Sequence, residues 1–362
     1  MGPASRRGRA GRRFNGMLWM TIDLQTNTCY HFHVYCLKPG HEYKRIFVTK
    51  GASIMKYTRR DFRAGDYIRI RDFLKMTYHT MPTQFNWLID RWNFCRYFAQ
   101  PIYQTFASWP ETVGIWVDEN GSIVSVANSE GENRGEAFFQ FGINQYPDGL
   151  LDEMIAFSEK TLCASEEGVK SLSIRLNEDQ QGIIEKLKIR DYVLADWKET
   201  TCSVDLTANH VGKLPGGFRI ADANEVSLEK RVVAHAHAFH SDDPENAEWN
   251  MQRESAYRSL RTAPDYRPKL DLAAVDADGE IASFATVWYD EQNQIGILEP
   301  VGTIPKYRRL GLGKAVIYAG ADRIKALGAR KLYVGSDQQF YRAIGFSVAF
   351  QKVIWHRQWR ES

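Results

Sequence analysis

A basic, glycine-rich segment at residues 299–315 combines residue types that hold phosphate groups. It begins as an apolar strand, passes through a turn and opens onto a predicted helix at residues 311–327. Glycine lets the backbone approach a ligand closely, and a helix N-terminus offers free N–H groups and partial positive charge. The cations and glycines of the turn are Arg308, Arg309, Gly311, Gly313 and Lys314. Their types and spacing predict a phosphate-binding turn.

Two common phosphate-binding signatures fit this turn badly. A Walker A loop needs a glycine five positions before Gly313 and a hydroxyl residue after Lys314. The chain has Arg308 and Ala315 at those positions. A dinucleotide-binding fingerprint needs a third glycine where the chain has Val316.

A third signature, found between a strand and a helix, has the pattern Arg/Gln-x-x-Gly-x-Gly/Ala. Arg308, Gly311 and Gly313 match this pattern. In this the chain resembles the GNAT superfamily of N-acetyltransferases. Residues 341–346 are similar to the family's late Tyr-x-x-x-Gly-Phe segment. The strand end EPVGT at 299–303 is similar to that of one branch of the superfamily. The resemblance extends from about residue 218 to about residue 357.

This resemblance implies an acyltransferase that uses acetyl-CoA as co-substrate and no metal. The implied acetyl-CoA-binding residues are Val301, Gly302, Thr303, Arg308, Arg309, Leu310, Gly311, Leu312, Gly313 and Lys314. In the family, backbone N–H groups at a β-bulge, here around 301–303, pair with the pantetheine arm and polarise the thioester carbonyl. The pyrophosphate lies at the turn.

Two side chains are candidates for the chemistry of acetyl transfer to an amine. Because an alkyl ammonium group has a pKa near 10.4, the site must help to remove a proton. Glu299, at the end of the strand before the turn, is the candidate general base, directly or through water. By resemblance, Tyr341 donates a hydrogen bond or a proton to the departing sulfur of coenzyme A.

The acceptor is expected to be a small-molecule amine or a peptide amine that the sequence does not identify. By resemblance, the predicted helices over 226–261 form one wall of its site. Histidines and carboxylates in this region are His235, His237, His240, Asp242, Asp243, Glu245 and Glu248. His235 and His237 are two residues apart and point to different sides of a helix, so a metal site is not expected.

Strands and helices alternate along the chain. Helices are predicted over 66–75, 86–98, 150–162, 226–240, 251–261 and 311–327. Strands are predicted over 113–117, 123–128, 171–176, 218–220, 270–275, 281–288, 294–303 and 331–334. This order predicts an α/β (α+β) fold with mixed sheets.

The chain also contains an internal repeat. VDENGSIVS at 117–125 matches VDADGEIAS at 275–283 at five of nine positions, and 188–192 corresponds to 343–346. We expect two tandem GNAT-like units, each a largely antiparallel central sheet flanked by helices. In the first half (residues 55–206), the place of the phosphate turn is taken by YPDGLL at 146–151, which has one glycine, no Arg and an added carboxylate. That composition repels a pyrophosphate, so one acetyl-CoA site is expected, in the second half (residues 218–362).

The expected domain limits follow from composition. Residues 1–54 are predicted to be a disordered or non-native extension, because the first sixteen residues are rich in Arg and Gly and Met55 opens a well-patterned segment. Residues 55–206 form the degenerate GNAT-like domain, 207–217 a linker and 218–362 the acetyl-CoA-binding domain. Peptide mapping of the native protein tests the first boundary.

Charge and composition limit the other function classes. The net charge is +3, but five arginines lie in the first sixteen residues, and the rest of the chain is nearly neutral. Neither nucleic acid nor a membrane is therefore an expected partner. No stretch of 18 or more apolar residues and no signal-peptide pattern occurs, so a soluble, cytoplasmic protein is expected. Five scattered cysteines predict reduced thiols. The sequence does not distinguish a monomer from a dimer, and a non-catalytic acetyl-CoA-binding or regulatory module is the alternative function.

Overall fold

A computed structural model of the chain describes residues 18–23, 31–36, 56–80, 86–102, 104–131, 134–143, 146–147, 149–208, 212–239 and 247–360. The chain divides into two compact units, Met1–Lys56 and Tyr57–Ser362. In the first unit, β1 (Leu18–Asp23) pairs with β2 (His31–Cys36) in antiparallel register. The disorder or non-native origin of residues 1–54 stays a prediction, and the Arg-rich start lies outside the described residues.

The second unit begins with the elements of the first half. Its helices are α1 (Asp66–Thr77), α2 (Ile89–Phe94) with a π-helical turn at Cys95–Ala99, α3 (Gln100–Ile102), a 3-10 helix at Gln104–Thr112, α4 (Leu150–Thr161) and α5 (Gln181–Ile189). Its strands are β3 (Tyr57–Asp61), β4 (Gly114–Asp118), β5 (Ile123–Asn128), β6 (Glu136–Phe141), β7 (Ala164–Glu166), β8 (Val169–Leu176) and β9 (Val193–Asp205). The predicted helix over 86–98 is therefore two short pieces, with α-helical geometry lost at Cys95.

The second half repeats the general order of strands and helices of the first half. Its helices are α6 (Leu228–Phe239), α7 (Ala247–Leu260), α8 (Leu312–Ala326), α9 (Gln339–Ala343) and 3-10 turns at Pro268–Leu270 and Pro305–Tyr307. Its strands are β10 (Arg219–Asp222), β11 (Asp271–Val275), β12 (Ile281–Asp290), β13 (Ile295–Thr303), β14 (Lys331–Val334) and β15 (Ser347–Arg360).

The repeated sequence folds as a repeated hairpin. In the β4–β5 turn, Asp118 Oδ1 accepts hydrogen bonds from the N–H groups of residues 120 and 122, at 2.9 and 2.8 Å. In the β11–β12 turn, Asp276 Oδ1 accepts them from residues 278 and 280, at 3.1 and 2.9 Å. Gly121 and Gly279 have φ of 78° and 76°, in the left-handed region that glycine adopts without steric cost.

All strands of this unit join one sheet of 13 strands. The order is β10-β11-β12-β13-β14-β9-β15-β8-β6-β5-β4-β3, with β7 beside β8. The pairs β13–β14 and β6–β8 are parallel, and the other neighbours are antiparallel. The predicted mixed, largely antiparallel α/β fold is confirmed, and the two halves of this second unit share one continuous sheet.

The two halves exchange their last strands. β9 of the first half lies between β14 and β15, and β15 of the second half lies between β9 and β8. Accordingly, Val353 and Trp355 pack in the core of the first half, whereas Cys202 and Val204 pack in the core of the second. Each half therefore completes the hydrophobic core of the other.

Further contacts join the halves beside the sheet. Arg71 of α1 forms a salt bridge with Asp265, and the hydroxyls of Tyr78 and Tyr333 are 2.8 Å apart. Cys95, Cys163 and Cys202 are buried thiols. Among the described helices, none is both long and apolar enough to cross a membrane.

Candidate functional site

A bulge interrupts β13 at Glu299 and Pro300, directly before the residues 301–303 around which it was predicted. Ala285 of β12 is opposite Val301, but Val287 is opposite Leu298, so Glu299 and Pro300 lie across from Thr286 alone. The indole N–H of Trp288 donates to the Glu299 carbonyl at 2.8 Å and fixes this backbone. The bulge leaves the Glu299 side chain exposed at the end of a strand whose preceding residues are buried.

Past the bulge, β13 has a strand on one side only. Its parallel pairing with β14 runs from Ile295 opposite Lys331 to Leu298 opposite Val334 and then stops. Residues 299–303 therefore face an opening between β13 and β14, while Gly302 and Thr303 remain paired with β12. Backbone N–H groups on the open side are available to a ligand, since a buried N–H group requires an acceptor.

The turn predicted to bind phosphate, residues 304–314 and called the phosphate turn below, follows directly. Gly311 is the N-cap of α8 at φ 83°, and Arg309 has φ of 64°. The first turn of α8 contains no acidic residue, and its N–H groups have no acceptors within the helix. Arg309, Gly311 and Lys314 are exposed. The positive end of the helix dipole and two cations thus face solvent at one place.

Two glycines are required by close packing. A Cβ at Gly313 would be 3.1 Å from the ring of Phe340 and 3.2 Å from Thr303 Oγ1. A Cβ at Gly302 would be 2.3 Å from the ring of Phe284. By contrast, no atom lies within 4 Å of the Cβ position at Gly311. Gly313 therefore sets the short distance between the start of α8 and the end of β13.

Arg308 connects the turn to β13 and α6 by hydrogen bonds. Its Nε donates to the carbonyl of Thr303 and its Nη2 to the carbonyl of Ala238 in the last turn of α6, both at 3.1 Å. The guanidinium group thus ties the end of β13 to α6. The side chain remains exposed, and the bracing contacts use only two of its five N–H donors.

Tyr341 lies in α9, close to this opening. It is 7% exposed, and its ring meets those of Phe340 and Phe346 edge to face. Burial, and secondarily the charge of Glu299, raises the pKa of its phenol. Its hydroxyl makes no hydrogen bond to another residue that the structure describes. Tyr341 therefore keeps its proton at neutral pH and has it available to donate.

The predicted histidine and carboxylate group is only partly described. His235 is buried, and its Nδ1 is 2.6 Å from the hydroxyl of Tyr257. Its ring lies against those of Phe98, Phe239 and Phe284, so it is part of the packing between α6, α7 and the first half. His237 is half-buried, and no group of His, Cys, Asp or Glu among the described side chains could hold a metal. His240, Asp242, Asp243 and Glu245, and the side chain of Glu248, lie outside the described part.

A cavity of about 380 Å³ lies between the halves and contains Glu299. We call it the inter-half cavity; its lining is Asn86, Trp87, Leu88, Asp90, Arg91, Phe94, Glu130, Glu199, Thr201, Ile297, Glu299, Gly335, Phe350 and Lys352. Of these, only Glu299 was a predicted site residue. The others come from elements far apart in sequence, and no local motif joins them.

Charged side chains at the cavity form a dense network. Arg91 binds Glu130 and Glu199, with shortest distances of 2.5 Å to each carboxylate, and Arg175 is 3.1 Å from Glu199. Although burial opposes it, Arg91, Lys352 and Arg175 lower the pKa of Glu199 to about 2. Burial lowers the pKa of Lys352 to about 8. Burial also raises the pKa of Asp90 to about 6.

The corresponding helix start in the first half has different chemistry. Gly149 is the N-cap of α4 at φ 83°, as Gly311 is of α8. Three residues before it, where the second half has Arg308, Tyr146 packs on Phe141 with ring centroids 4.9 Å apart. The first turn of α4 carries Asp152 and Glu153. Asp148, the predicted added carboxylate, is outside the described residues.

Two other features of the second-half site are absent from the described first half. The β5–β6 pairing runs from Ser125 opposite Phe141 to Asn128 opposite Phe138 without a bulge. The N–H of Tyr192 bonds the carbonyl of Leu187, as the N–H of Phe346 bonds that of Tyr341. An aliphatic side chain therefore stands where the second half has a phenol.

Comparison with known proteins gives one family match and several solved structures of similar fold. Residues 236–346 match the model of the "Acetyltransferase (GNAT) family". No curated protein matches the chain in sequence. A solved GCN5-related N-acetyltransferase from Sphaerobacter thermophilus is 14% identical with a TM-score of 0.54, over 84% of this chain and 96% of that one. A tandem GNAT protein from the clavulanic acid biosynthesis pathway is 13% identical with a TM-score of 0.58, over 85% of this chain and 99% of that one.

At these identities the two solved structures establish a common fold, and the family match covers the bulge, the turn at 304–314 and the segment 341–346. The chain therefore carries a GNAT domain at residues 236–346 within a tandem GNAT fold.

Proposed function

We propose that the second half is an acetyl-CoA-dependent N-acetyltransferase that transfers the acetyl group to a primary amine by direct attack. The observation that carries this proposal is the meeting of three features at one opening: the β13 bulge, the phosphate turn and the protonated Tyr341. The described part of the first half differs at each of the three corresponding positions. The β5–β6 pairing has no bulge, α4 begins with acidic residues, and Leu187 stands in place of Tyr341.

The residues at the opening fit acetyl-CoA. N–H groups at the start of α8, together with Arg309 and Lys314, hold the pyrophosphate. Gly313 keeps that helix start beside Thr303, so one extended ligand reaches both the turn and the open edge of β13 at 301–303. Leu310, which is 49% exposed, and Leu312 complete the turn. Bound acetyl-CoA supplies a thioester as the acetyl donor.

Two side chains then handle the protons. Glu299 accepts a proton from the ammonium form of the acceptor, directly or through water, because an ammonium group has no lone pair for attack. Tyr341 donates a hydrogen bond or a proton to the coenzyme A sulfur as the carbon–sulfur bond breaks. N–H groups at the bulge stabilise the negative charge that develops on the carbonyl oxygen.

The alternative is a non-catalytic acetyl-CoA-binding or regulatory module. The first half favours it to the extent that a GNAT-like unit in this chain has neither the bulge nor the phenol at the corresponding place. Such a module needs the phosphate turn but neither Glu299 nor Tyr341, whereas the second half has both.

Calorimetric titration of acetyl-CoA into the full chain is the first test. We expect micromolar binding that is lost in the double variant Arg308→Ala/Gly311→Asp. Release of free coenzyme A with a panel of primary amines then separates the two functions: the enzyme releases it and the regulatory module only binds. Absence of acetyl-CoA binding by the parent contradicts both.

A further inference from the structure

We infer that the inter-half cavity is the acceptor site and that its substrate is a small primary amine on an aromatic or aliphatic body, with the ammonium group bound by Asp90. The inference rests on the proposed function, because Glu299, the proposed base, lines the same cavity. Asp90 belongs to the first half, so that half supplies substrate specificity to the active site of the second.

The floor of the cavity is one face of the shared sheet. Side chains two residues apart on a strand point to the same face, as do Ile297 and Glu299 on β13. Glu199 and Thr201 of β9 stand opposite Lys352 and Phe350 of β15. Residues 86–94, which lead into and form α2, line the opposite side of the cavity. The exchanged strands thus place this floor directly beside the opening at β13.

The walls combine apolar surface with excess negative charge. Trp87, Leu88, Phe94, Ile297 and Phe350 supply aromatic and aliphatic contacts. Four carboxylates line the cavity, Asp90, Glu130, Glu199 and Glu299, against the lining cations Arg91 and Lys352 and against Arg175, which lies 3.1 Å from Glu199. Arg91 is already bound to Glu130 and Glu199. A cationic ligand with an apolar body therefore matches both the shape and the charge of the cavity.

Asp90 is the lining carboxylate whose compensation is long-range: the charge of Arg91 lowers its pKa, but the two side chains form no salt bridge. It forms no ion pair with any residue that the structure describes, and backbone N–H groups at the start of α2 are its only hydrogen-bond donors there. Although burial raises its pKa to about 6, this half-buried carboxylate is charged at neutral pH. An ammonium group beside it supplies the missing cation, which is the usual requirement for a buried carboxylate.

An independent observation concerns Trp87. It lines the cavity, is 4% exposed, and its indole N–H has no acceptor within the described structure. A buried donor without an acceptor costs free energy, so this N–H group is a point at which an acceptor atom of a ligand can bind. The volume of about 380 Å³ suits a small molecule and falls at the low end of ligand pockets.

The test uses the full chain, 2-phenylethylamine as the probe and release of coenzyme A as the readout. We expect Asp90→Asn to raise the KM for this amine about 10- to 100-fold, with kcat and the Kd for acetyl-CoA changed less than about threefold. Asp90→Glu, which keeps the charge, should recover part of the loss. Asp278→Asn in the exposed β11–β12 turn is the matched control and should behave as the parent.

The pH profile separates a binding role from a structural one. Charged groups around Asp90 are Arg91 on α2, Glu130 after β5, Glu199 on β9, Glu299 on β13 and Lys352 on β15. In the parent, KM should rise as the pH falls through about 6, because Asp90 becomes neutral. The pKa values of Glu199, about 2, and Lys352, about 8, lie far from this range. Asp90→Asn should lose this rise in KM.

The outcomes distinguish the two proposals. If the parent does not bind acetyl-CoA, the proposed function fails. If the parent binds acetyl-CoA and acetylates amines but Asp90→Asn leaves KM unchanged, the inference alone is wrong. A higher kcat/KM for a lysine-containing peptide or a zwitterionic amino acid than for 2-phenylethylamine also contradicts it.

Discussion

The helices α4 and α8 begin with the same backbone geometry and different side chains. Both start at a glycine with φ of 83°. After that glycine, α8 continues with Leu312, Gly313 and Lys314, whereas α4 continues with Leu150, Leu151 and Asp152. Leu151 is buried in the first-half core, and Asp152 binds Lys186 and Arg190. The comparison shows that a turn geometry can survive duplication while its side chains are recruited to packing and ion pairing.

The largest expected effect comes from giving α8 the leucine of α4. In Gly313→Leu, the new side chain meets Phe340 and Thr303 within about 3.2 Å and separates the helix start from β13. We expect the affinity for acetyl-CoA to fall about 100-fold, or about 2.7 kcal/mol, in calorimetry.

Gly182→Leu is the matched control for this substitution. Gly182 is likewise the second residue of a helix, α5, and its Cβ position has one contact, at 3.9 Å to Leu151. Its affinity for acetyl-CoA should equal that of the parent. Unchanged affinity in Gly313→Leu would show that acetyl-CoA does not approach the start of α8.

The next difference between the halves is the phenol of Tyr341, which stands where the first half has Leu187. Tyr341→Phe makes that position resemble Leu187, and we expect kcat to fall about 10- to 100-fold because the sulfur loses its donor. The Kd for acetyl-CoA should stay within about twofold, and thermal stability should be kept, since the hydroxyl has no partner in the described structure. A kcat equal to that of the parent would assign Tyr341 to packing alone.

Charge reversal at the helix start should have a smaller effect. Lys314→Asp places the acid of α4 at the phosphate turn, and we expect about 10-fold weaker acetyl-CoA binding at low salt. The difference should shrink as ionic strength rises, because the site is exposed. Lys325→Asp, near the other end of α8, is the control and should leave binding unchanged.

The smallest effect is expected in the first half. Asp152→Asn removes the ion pairs with Lys186 and Arg190 at 2.5 and 2.7 Å, but the groups are partly exposed, so the free energy of unfolding should drop by at most about 1 kcal/mol. Lys186 and Arg190 lower the pKa of Asp152. The stabilisation is therefore present above the unfolded pKa of about 3.9 and is lost as the pH falls through the folded value. Urea unfolding at pH 7 and pH 3 measures it, and a change in acetyl-CoA affinity would contradict a purely structural role.

Local signals in the sequence predicted the parts of the site that lie on one continuous segment. The residues from Glu299 to Lys314 include a strand end, a turn and a helix start in order, so their spacing in sequence fixes their spacing in the fold. The repeated hairpins were predictable for the same reason, because an Asx turn with a following glycine is determined by a few neighbouring residues.

The inter-half cavity could not be predicted in this way. Asp90, Glu130, Glu199 and Lys352 come from four elements that meet only because β9 and β15 exchange places, and nothing local in either strand specifies its neighbour. Residues 86–98 were predicted as one helix because their apolar spacing is helical. Instead, Cys95–Ala99 form a π-helical turn, and this turn and α3 pack against α7.

The exchanged strands also decide what happens if the chain is cut. Cleavage within residues 207–217 would leave each fragment holding the final strand of the other's sheet, so the fragments would remain together as a non-covalent complex. A second half produced alone would lack β9 and expose the hydrogen-bonding edge of β14, with Cys202 and Val204 missing from its core. Such a fragment would complete its sheet by pairing with a strand of a second copy. The tandem chain is therefore equivalent to a domain-swapped dimer whose two halves are joined in a single polypeptide.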